Sequence, residues 1–433
     1  MGQECCKLDD GIDDPENPKN VVRFFMVGTG GAGKTTVVRQ LKCLCKESSK
    51  DYKAFDSNWG LIDSENIFSR LELNQFKRRI KFNILTAIYN LIEQTHEWRQ
   101  PISVPESVSR IKDAKEDLDV EIQRGATDIS VDDTLAMDII RILDDEAIKK
   151  SLGRSHQMSS DYRLEDGTLH FLTDDNISRI FDKKEELTCE DIVHSRYPTT
   201  DIQDFRFGIK KMKMQIHDMG GQASELGREP PQNKKIFGVA LKMKCISDRA
   251  TEDVFQKKLP EFIQQWVRTT SDGSENFLLF VTSMADFNLI DENNSNFTAM
   301  DRSVRVLDIV LGMQAVHECG VMIFFNKQDR FDFVCQELLK TEEGRKEILK
   351  YLGADMDNGK KDRVMKGTIE EKHLHGAVAK KFMKVIKPKR KIDGSKGVYY
   401  RFTQATDQKV MKLIFDAIDM ESINNVFDNI DKL

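Results

Sequence analysis

The run Gly28-Thr29-Gly30-Gly31-Ala32-Gly33-Lys34-Thr35 combines glycines, a lysine and a hydroxyl at a spacing suited to gripping phosphate. It fits G-x-x-x-x-G-K-[ST], in which glycines let successive backbone N–H groups turn inward around an anion at a helix N-terminus. Before it, residues 21–27 form an apolar, β-branched and aromatic run that reads as a buried strand. After it, residues 36–45 read as a helix. In that setting Lys34 neutralises β/γ-phosphates and the Thr35 hydroxyl ligates Mg²⁺.

Three further segments carry matching chemistry. Asp218-Met219-Gly220-Gly221-Gln222 follows the strand-like run 212–216. An aspartate ending the strand beside the phosphate loop can hold Mg²⁺ through water. Gly221 brings a backbone N–H to a γ-phosphate, and Gln222 orients an attacking water. Asn326-Lys327-Gln328-Asp329 ends the apolar run 321–325. A carboxylate presents two coplanar acceptors that match the N1–H and N2–H₂ donors of guanine. Adenine offers an acceptor and no donor there, which leaves such a carboxylate unpartnered. Thr403-Gln404-Ala405-Thr406-Asp407 is placed to offer the Ala405 N–H to guanine O6. Finally, Arg196-Tyr197-Pro198-Thr199-Thr200 precedes the Asp218 motif. Thr199 can complete the Mg²⁺ shell and Arg196 can neutralise charge developing on a transferred phosphoryl group. On residue types alone this last segment reads as an ordinary loop.

These residues need a parallel sheet to bring them together. Strand-like runs at 205–209, 212–216, 277–283, 321–325 and 398–402 alternate with polar loops and helical segments, as in an α/β sheet covered on both faces. From about residue 51 to 191 helical signals dominate instead. Leu73, Phe76, Ile80, Ile84, Ala87 and Leu91 recur at helical spacing, as do Leu135, Ile139, Ile140 and Leu143. The simplest organisation is an α/β nucleotide domain interrupted by a helical insert.

A chain of 433 residues with 39% hydrophobic residues predicts two or three domains with sizeable cores. The net charge of −6 excludes a general nucleic-acid binder. Between residues 380 and 396 eight Lys/Arg face the single Asp393, a stretch that reads as a solvated loop. The acidic N-terminus lacks the apolar core of a secretory signal, so the eight cysteines are expected to be reduced thiols. No Cys/His cluster has zinc-ligand spacing. Met1-Gly2-Gln3-Glu4-Cys5-Cys6 nearly fits the myristoylation pattern at Gly2, and Cys5 and Cys6 suit palmitoylation. Two acyl chains hold a protein stably where one does not.

Taken in order, these motifs resemble the α subunit of heterotrimeric G proteins, over nearly the whole chain. The resemblance implies a Ras-like GTPase domain with a six-stranded, mostly parallel sheet, formed by residues 21–50 and 192–433. It implies an inserted all-α domain over 51–191 and a lipidated segment over 1–20. In the family the helical domain closes over the nucleotide. By the same resemblance Arg196 and Gln222 are catalytic, and Thr35, Thr199 and Asp218 (through water) surround Mg²⁺. The nucleotide contacts extend to Thr36 and Val193. GTP or GDP is the implied bound nucleotide, and the cytoplasmic face of the plasma membrane the implied location. Implied partners are a heptahelical receptor engaging the C-terminal helix from Asp407, an effector and a βγ dimer. Val410, Leu413, Ile414, Ala417 and Ile418 read as the docking face of that helix.

Several positions depart from the family. Twenty residues, including Pro15 and Pro18, precede the first strand, where the family has a longer basic helix. After Gln222 the chain reads Ala223-Ser224-Glu225-Leu226-Gly227-Arg228-Glu229-Pro230-Pro231, so the basic-aromatic surface that holds βγ is largely missing. Asp201 replaces a glycine, Ile430 stands where the toxin-modified cysteine would be, and about 30 residues are inserted before 262–267. The expected function is a GTP-hydrolysing switch. The rival expectations are a GTP-binding scaffold without βγ partnership and an ATP-using enzyme, the latter disfavoured by the Asn326 and Thr403 motifs.

Overall fold

The computed structural model describes residues 21–124, 130–159, 161–164, 166–196, 203–210, 212–218, 275–291, 294–317, 319–389 and 398–416. These fall into two compact units. One draws on residues within 1–67, 201–229 and 245–433, the other on residues within 68–200.

The first unit begins with β1 (Val21–Val27), every residue of which but Arg23 is buried. It continues through α1 (Lys34–Glu47) into a hairpin of β2 (Tyr52–Phe55) and β3 (Leu61–Ile62). The second unit is helical: α2 (Arg70–Glu97), α3 (Pro105–Gln123), α4 (Ala136–Asp144), α5 (Glu146–Gly153), α6 (Asp166–Leu169), α7 (Asp174–Phe181) and α8 (Cys189–His194). A reciprocal Ser69–Glu72 capping box starts α2, satisfying N–H groups that the first turn leaves orphaned. Ile80, Ile84, Ala87 and Leu91 are buried along α2, as their spacing predicts. On α4, Ile142 takes the buried place expected for Ile140.

The chain then returns to the first unit with β4 (Gln203–Ile209), β5 (Met212–Asp218) and β6 (Glu275–Ser283). A small pair, β7 (Ile290–Asp291) and β8 (Asn294–Thr298), precedes α9 (Ala299–Leu311) and α10 (Gln314–His317). There follow β9 (Gly320–Asn326), α11 (Gln328–Leu339), α12 (Glu342–Leu352), α13 (Asn358–Met365), α14 (Glu371–Lys389), β10 (Val398–Phe402) and α15 (Gln408–Asp416).

The main sheet has the order β10-β9-β6-β1-β5-β4-β2-β3. The first five strands run parallel, and the last three join antiparallel. Phe25, Val27, Phe280, Ile323 and Phe325 line one face, while Phe24, Met26, Phe277, Leu279 and Phe324 are equally buried. Strands covered on both faces read as unbroken apolar runs, which is why they were legible in sequence.

The expected six-stranded sheet is corrected to eight. The hairpin β2–β3 lies in the stretch expected to be helical, where Tyr52, Ala54 and Phe55 give too short an apolar run to stand out. Tyr52 is wholly buried and its hydroxyl donates to Asp416 Oδ1 at 2.8 Å, tying the hairpin to α15. The basic stretch from 380 is helix rather than loop as far as Lys389. Its apolar residues Leu374, Val378, Phe382 and Ile386 recur every four and bury one face, while Lys381, Lys384 and Lys389 pair with Asp301, Asp355 and Asp308. On α15 the buried face is Met411, Ile414 and Phe415, and Leu413 is 72% exposed. The face is turned by one position from the one expected, and Ala417 and Ile418 lie outside the described residues. Among the described residues no helix is long and apolar enough to cross a membrane.

Candidate nucleotide site

The parallel strands all deliver their carboxyl ends to one edge, where ligands of open α/β sheets bind. In register, Met26 stands beside Asp218, Val27 beside Phe280, and Ser283 beside Asn326. The loop after β1 therefore lies among the ends of β5, β6 and β9. Gly28 has no room for a side chain, since a Cβ there would sit 2.0 Å from the Val281 carbonyl oxygen.

Lys34 opens α1 with 6% exposure, and its Nζ donates to the Gly28 and Thr29 carbonyls at 3.0 and 3.1 Å. The cation is thus turned back over its own loop, where an anion would compete for it. Gly30 and Gly31 are exposed at the rim, while Ala32 is wholly buried. Thr36 sits partly buried in the first turn of α1.

The Thr35 hydroxyl donates to Asp218 Oδ2 at 2.9 Å. Asp218 is completely buried, and its other carboxylate oxygen, Oδ1, has no hydrogen-bond partner. Burial pushes its carboxyl above the usual range, opposed by the nearby Lys34, the Thr35 hydrogen bond and Arg39. An orphaned carboxylate oxygen beside a hydroxyl is a hard, oxygen-only donor pair of the kind Mg²⁺ takes. The residues fit that ion.

Asn326 is the hub on the other side. Its Nδ2 donates to the Ala32 carbonyl at 2.9 Å, while its Oδ1 accepts from the Thr403 hydroxyl at 3.1 Å and the Ala405 N–H at 2.9 Å. Thr403 N also donates to Phe325 O at 2.8 Å, and Gln328 N to Thr403 O at 3.2 Å. One buried amide thereby joins the phosphate loop to the loops after β9 and β10. The Ala405 N–H, expected to face guanine O6, is donated to Asn326 in this state. The brace from Thr403 was not foreseen, although its place two residues before Ala405 is a usable signal. Lys327 adopts a left-handed conformation (φ 59°), which costs a non-glycine residue about 1–2 kcal/mol. That turn starts α11 and places Asp329 in its first turn, exposed to solvent.

Gly33 is where this arrangement is most sensitive. Its φ of +99° is left-handed, and a Cβ would sit 2.2 Å from Asn326 Nδ2. Asn326 cannot yield, because it is buried and held by three hydrogen bonds. Gly33→Ala is expected to lose about 3 kcal/mol, at roughly 1 kcal/mol per bond. Urea unfolding of the nucleotide-free chain checks this, and an unchanged midpoint would show that the amide is not a strut.

Comparison with known proteins bears on the same residues. The model of the G-protein alpha subunit family matches residues 9–233. The chain belongs to that family. Similar relatives include the guanine nucleotide-binding protein G(o) subunits alpha of Planorbella trivolvis and Lymnaea stagnalis, each 22% identical over 94% of this chain and 89% of theirs. The guanine nucleotide-binding protein alpha-16 subunit of Caenorhabditis briggsae is likewise 22% identical over the same shares. Family membership supports a GTP-binding and GTP-hydrolysing transducer role in general, with nucleotide and metal binding implied at that level.

Of the remaining expected site residues, Val193 and Arg196 belong to the helical unit. Val193 is buried within α8, and Arg196, exposed, lies two residues beyond its end, with its carbonyl accepting from Asn83 Nδ2 at 3.0 Å. Thr199, Gly221, Gln222, Gly2, Cys5 and Cys6 lie outside the described residues. So do the altered segment from Ala223 and the inserted residues before 262. Cys43, Cys45, Cys189, Cys319 and Cys335 are buried, and burial pushes the Cys45 thiol up to about 12. Such thiols are unreactive.

Proposed function

We propose that this chain is a guanine-nucleotide switch that hydrolyses GTP. Residues 21–50 and 192–433 supply the GTPase domain, residues 51–191 the helical insert and residues 1–20 a lipid-anchored segment. The observation that carries the reading is the Asn326 hub, which unites the phosphate loop with both base-side loops. Gly28 to Gly33 and Thr36 surround the phosphates with backbone N–H groups, and Lys34 leaves the Gly28 and Thr29 carbonyls for phosphate oxygens. Lys327 and Asp329 take the base, and Ala405 N–H is shared with O6. Thr35, Thr199 and, through water, Asp218 would hold Mg²⁺, which when bound offsets the negative charge of the β- and γ-phosphates.

In hydrolysis Gln222 orients the water, and Arg196, supplied from within the chain, meets the charge that develops on the γ-phosphoryl oxygens. Val193 steadies the segment leading to Arg196. Contacts of Thr199 and Gly221 with the γ-phosphate order their loops, and hydrolysis releases them. Receptor engagement through α15 and its continuation, an effector, and acylation at Gly2, Cys5 and Cys6 on the inner membrane face complete the reading.

Binding assays test it: the purified chain is expected to take GTP over ATP only with Mg²⁺ present, and equal affinities would overturn the assignment. Arg196→Ala is expected to slow single-turnover hydrolysis by about 30-fold. That interval separates Gα subunits as a class, near 10⁻² s⁻¹, from Ras, at roughly 3–5 × 10⁻⁴ s⁻¹ without an arginine of its own. Gln222→Leu is expected to retain bound GTP. Parent-like turnover in either variant removes that residue from the chemistry.

A second reading has its own support in the sequence from Ala223 to Pro231, which lacks the family's basic-aromatic surface. In it the chain binds GTP as a scaffold with no βγ partner. Co-purification with a βγ dimer in GDP but not in GTP favours the switch, and its failure beside intact hydrolysis favours the scaffold.

A further inference from the structure

The helical unit holds a cluster of side chains that the nucleotide chemistry does not use. His170 follows α6, while Glu190 and His194 stand four residues apart on one face of α8. One donor atom from each lies within 4.8 Å of the others. The two imidazoles stack with centroids 4.2 Å apart and planes 13° from parallel. His170 Nδ1 lies 3.8 Å from Glu190 Oε1. His194 Nδ1 is buried with no hydrogen-bond partner, a state that costs free energy unless something satisfies it.

The scaffold around these groups is built rather than loose. Asp191 is fully buried, and Arg179 grips both its oxygens at 2.6 and 2.7 Å. Thr188 and Asp191 cap α8 reciprocally. The His170 carbonyl accepts from Asn176 Nδ2 at 2.8 Å, and Asn176 in turn accepts from Arg179 at 2.9 Å. Gly167 brings α6 so close that a Cβ there would sit 2.4 Å from the His194 carbonyl oxygen. His170 Nε2 faces Asp191 Oδ1 at 3.9 Å. That separation is too long for a hydrogen bond, while the other ring nitrogen, Nδ1, is the one nearer Glu190.

We propose that His170, Glu190 and His194 form a binding site for a first-row divalent cation of the zinc type. Two imidazoles and one carboxylate are borderline donors that suit Zn²⁺ and Co²⁺ rather than Mg²⁺, which demands oxygen. Metal–donor bonds of about 2.0–2.2 Å place neighbouring tetrahedral donors roughly 3.4 Å apart. The triad therefore has to contract, and Glu190, 68% exposed, has the freedom to do most of it. The stacked rings tilt so that each presents an edge to the ion, and His194 Nδ1 is available to gain its missing partner. Three protein donors leave one position for water. The ion would clamp the turn after α6 to the helix that ends two residues before Arg196. The site stands independently of the nucleotide reading.

Cobalt titration tests it on the full chain, stripped with a chelator and then held in excess Mg²⁺ and GDP. The expected result is one equivalent of saturable visible Co²⁺ absorption that Zn²⁺ displaces. His194→Gln is expected to abolish it. Glu190→Gln, at an exposed position where the fold is not at risk, is expected to weaken binding at least tenfold. No saturable absorption in the parent chain overturns the proposal. So do parent-like binding in both variants, and an ultraviolet sulfur-to-cobalt band showing cysteine ligation instead.

Discussion

A chain carrying Asp329→Asn is expected to lose its preference for GTP and to select xanthosine triphosphate. The guanine edge presents two donors, N1–H and N2–H₂, which the two oxygens of a carboxylate match. An asparagine amide presents one oxygen and one NH₂, so a donor meets a donor at N2. Xanthine keeps N1–H but carries a carbonyl at C2, and the amide then pairs at both positions. Sites built on such hydrogen bonds discriminate by roughly 10⁴-fold, because the wrong ligand leaves polar groups unpaired. Asp329 is exposed in the first turn of α11, held there by the left-handed Lys327 and by the buried Asn326 before it. The substitution therefore changes recognition without touching the core. Competition among GTP, ATP and xanthosine triphosphate reads the result, and a variant that still prefers GTP would place base selection elsewhere.

Lys34→Ala is expected to weaken Mg²⁺-GTP binding by about 10²–10⁴-fold. Two charge-assisted hydrogen bonds to phosphate oxygens, at roughly 1.5–3 kcal/mol each, set that range. In the nucleotide-free chain the same ammonium braces the Gly28 and Thr29 carbonyls, so the loop also loses two internal bonds. Urea unfolding of the empty chain separates the two effects. A large loss of affinity with a small loss of stability assigns the lysine to the ligand, whereas the opposite pattern assigns it to the loop. Arginine is not a conservative replacement here, because its planar fork cannot reproduce a compact ammonium between two carbonyls.

Much of this architecture was legible in the residues, for physical reasons. Strands β1, β6 and β9 are buried on both faces and so appear as near-continuous apolar runs, interrupted in β1 by the partly exposed Arg23. The loop from Gly28 to Thr35 announces itself because close backbone approach leaves no alternative to glycine, as the Val281 carbonyl shows at Gly28. Asn326 and Asp329 were visible as a motif, yet the reach of Asn326 to Ala32 and to Thr403 was not, since those partners lie 294 and 77 residues away. The hairpin β2–β3 was hidden by its brevity. The face of α15 was misjudged by one position because Val410, Met411, Leu413, Ile414 and Phe415 are apolar around more than one side of the helix. His170 and His194 sit 24 positions apart, and helices α7 and α8 lie in between or beside them, so their spacing matches no metal pattern.

The added hairpin changes what the sheet can accept. Without it, the flank of β4 would offer a row of free N–H and C=O groups, a template for an extended segment from another chain. Instead β2 occupies residues 206–209, and the sheet stops at a strand only two residues long. Its turn is knotted by Asp56, which accepts from the N–H of Asn58 and Gly60 at 2.8 Å each, while Arg206 lies over Trp59. Strand addition is closed off at this border, so an effector that recognises this flank has to read side chains rather than backbone.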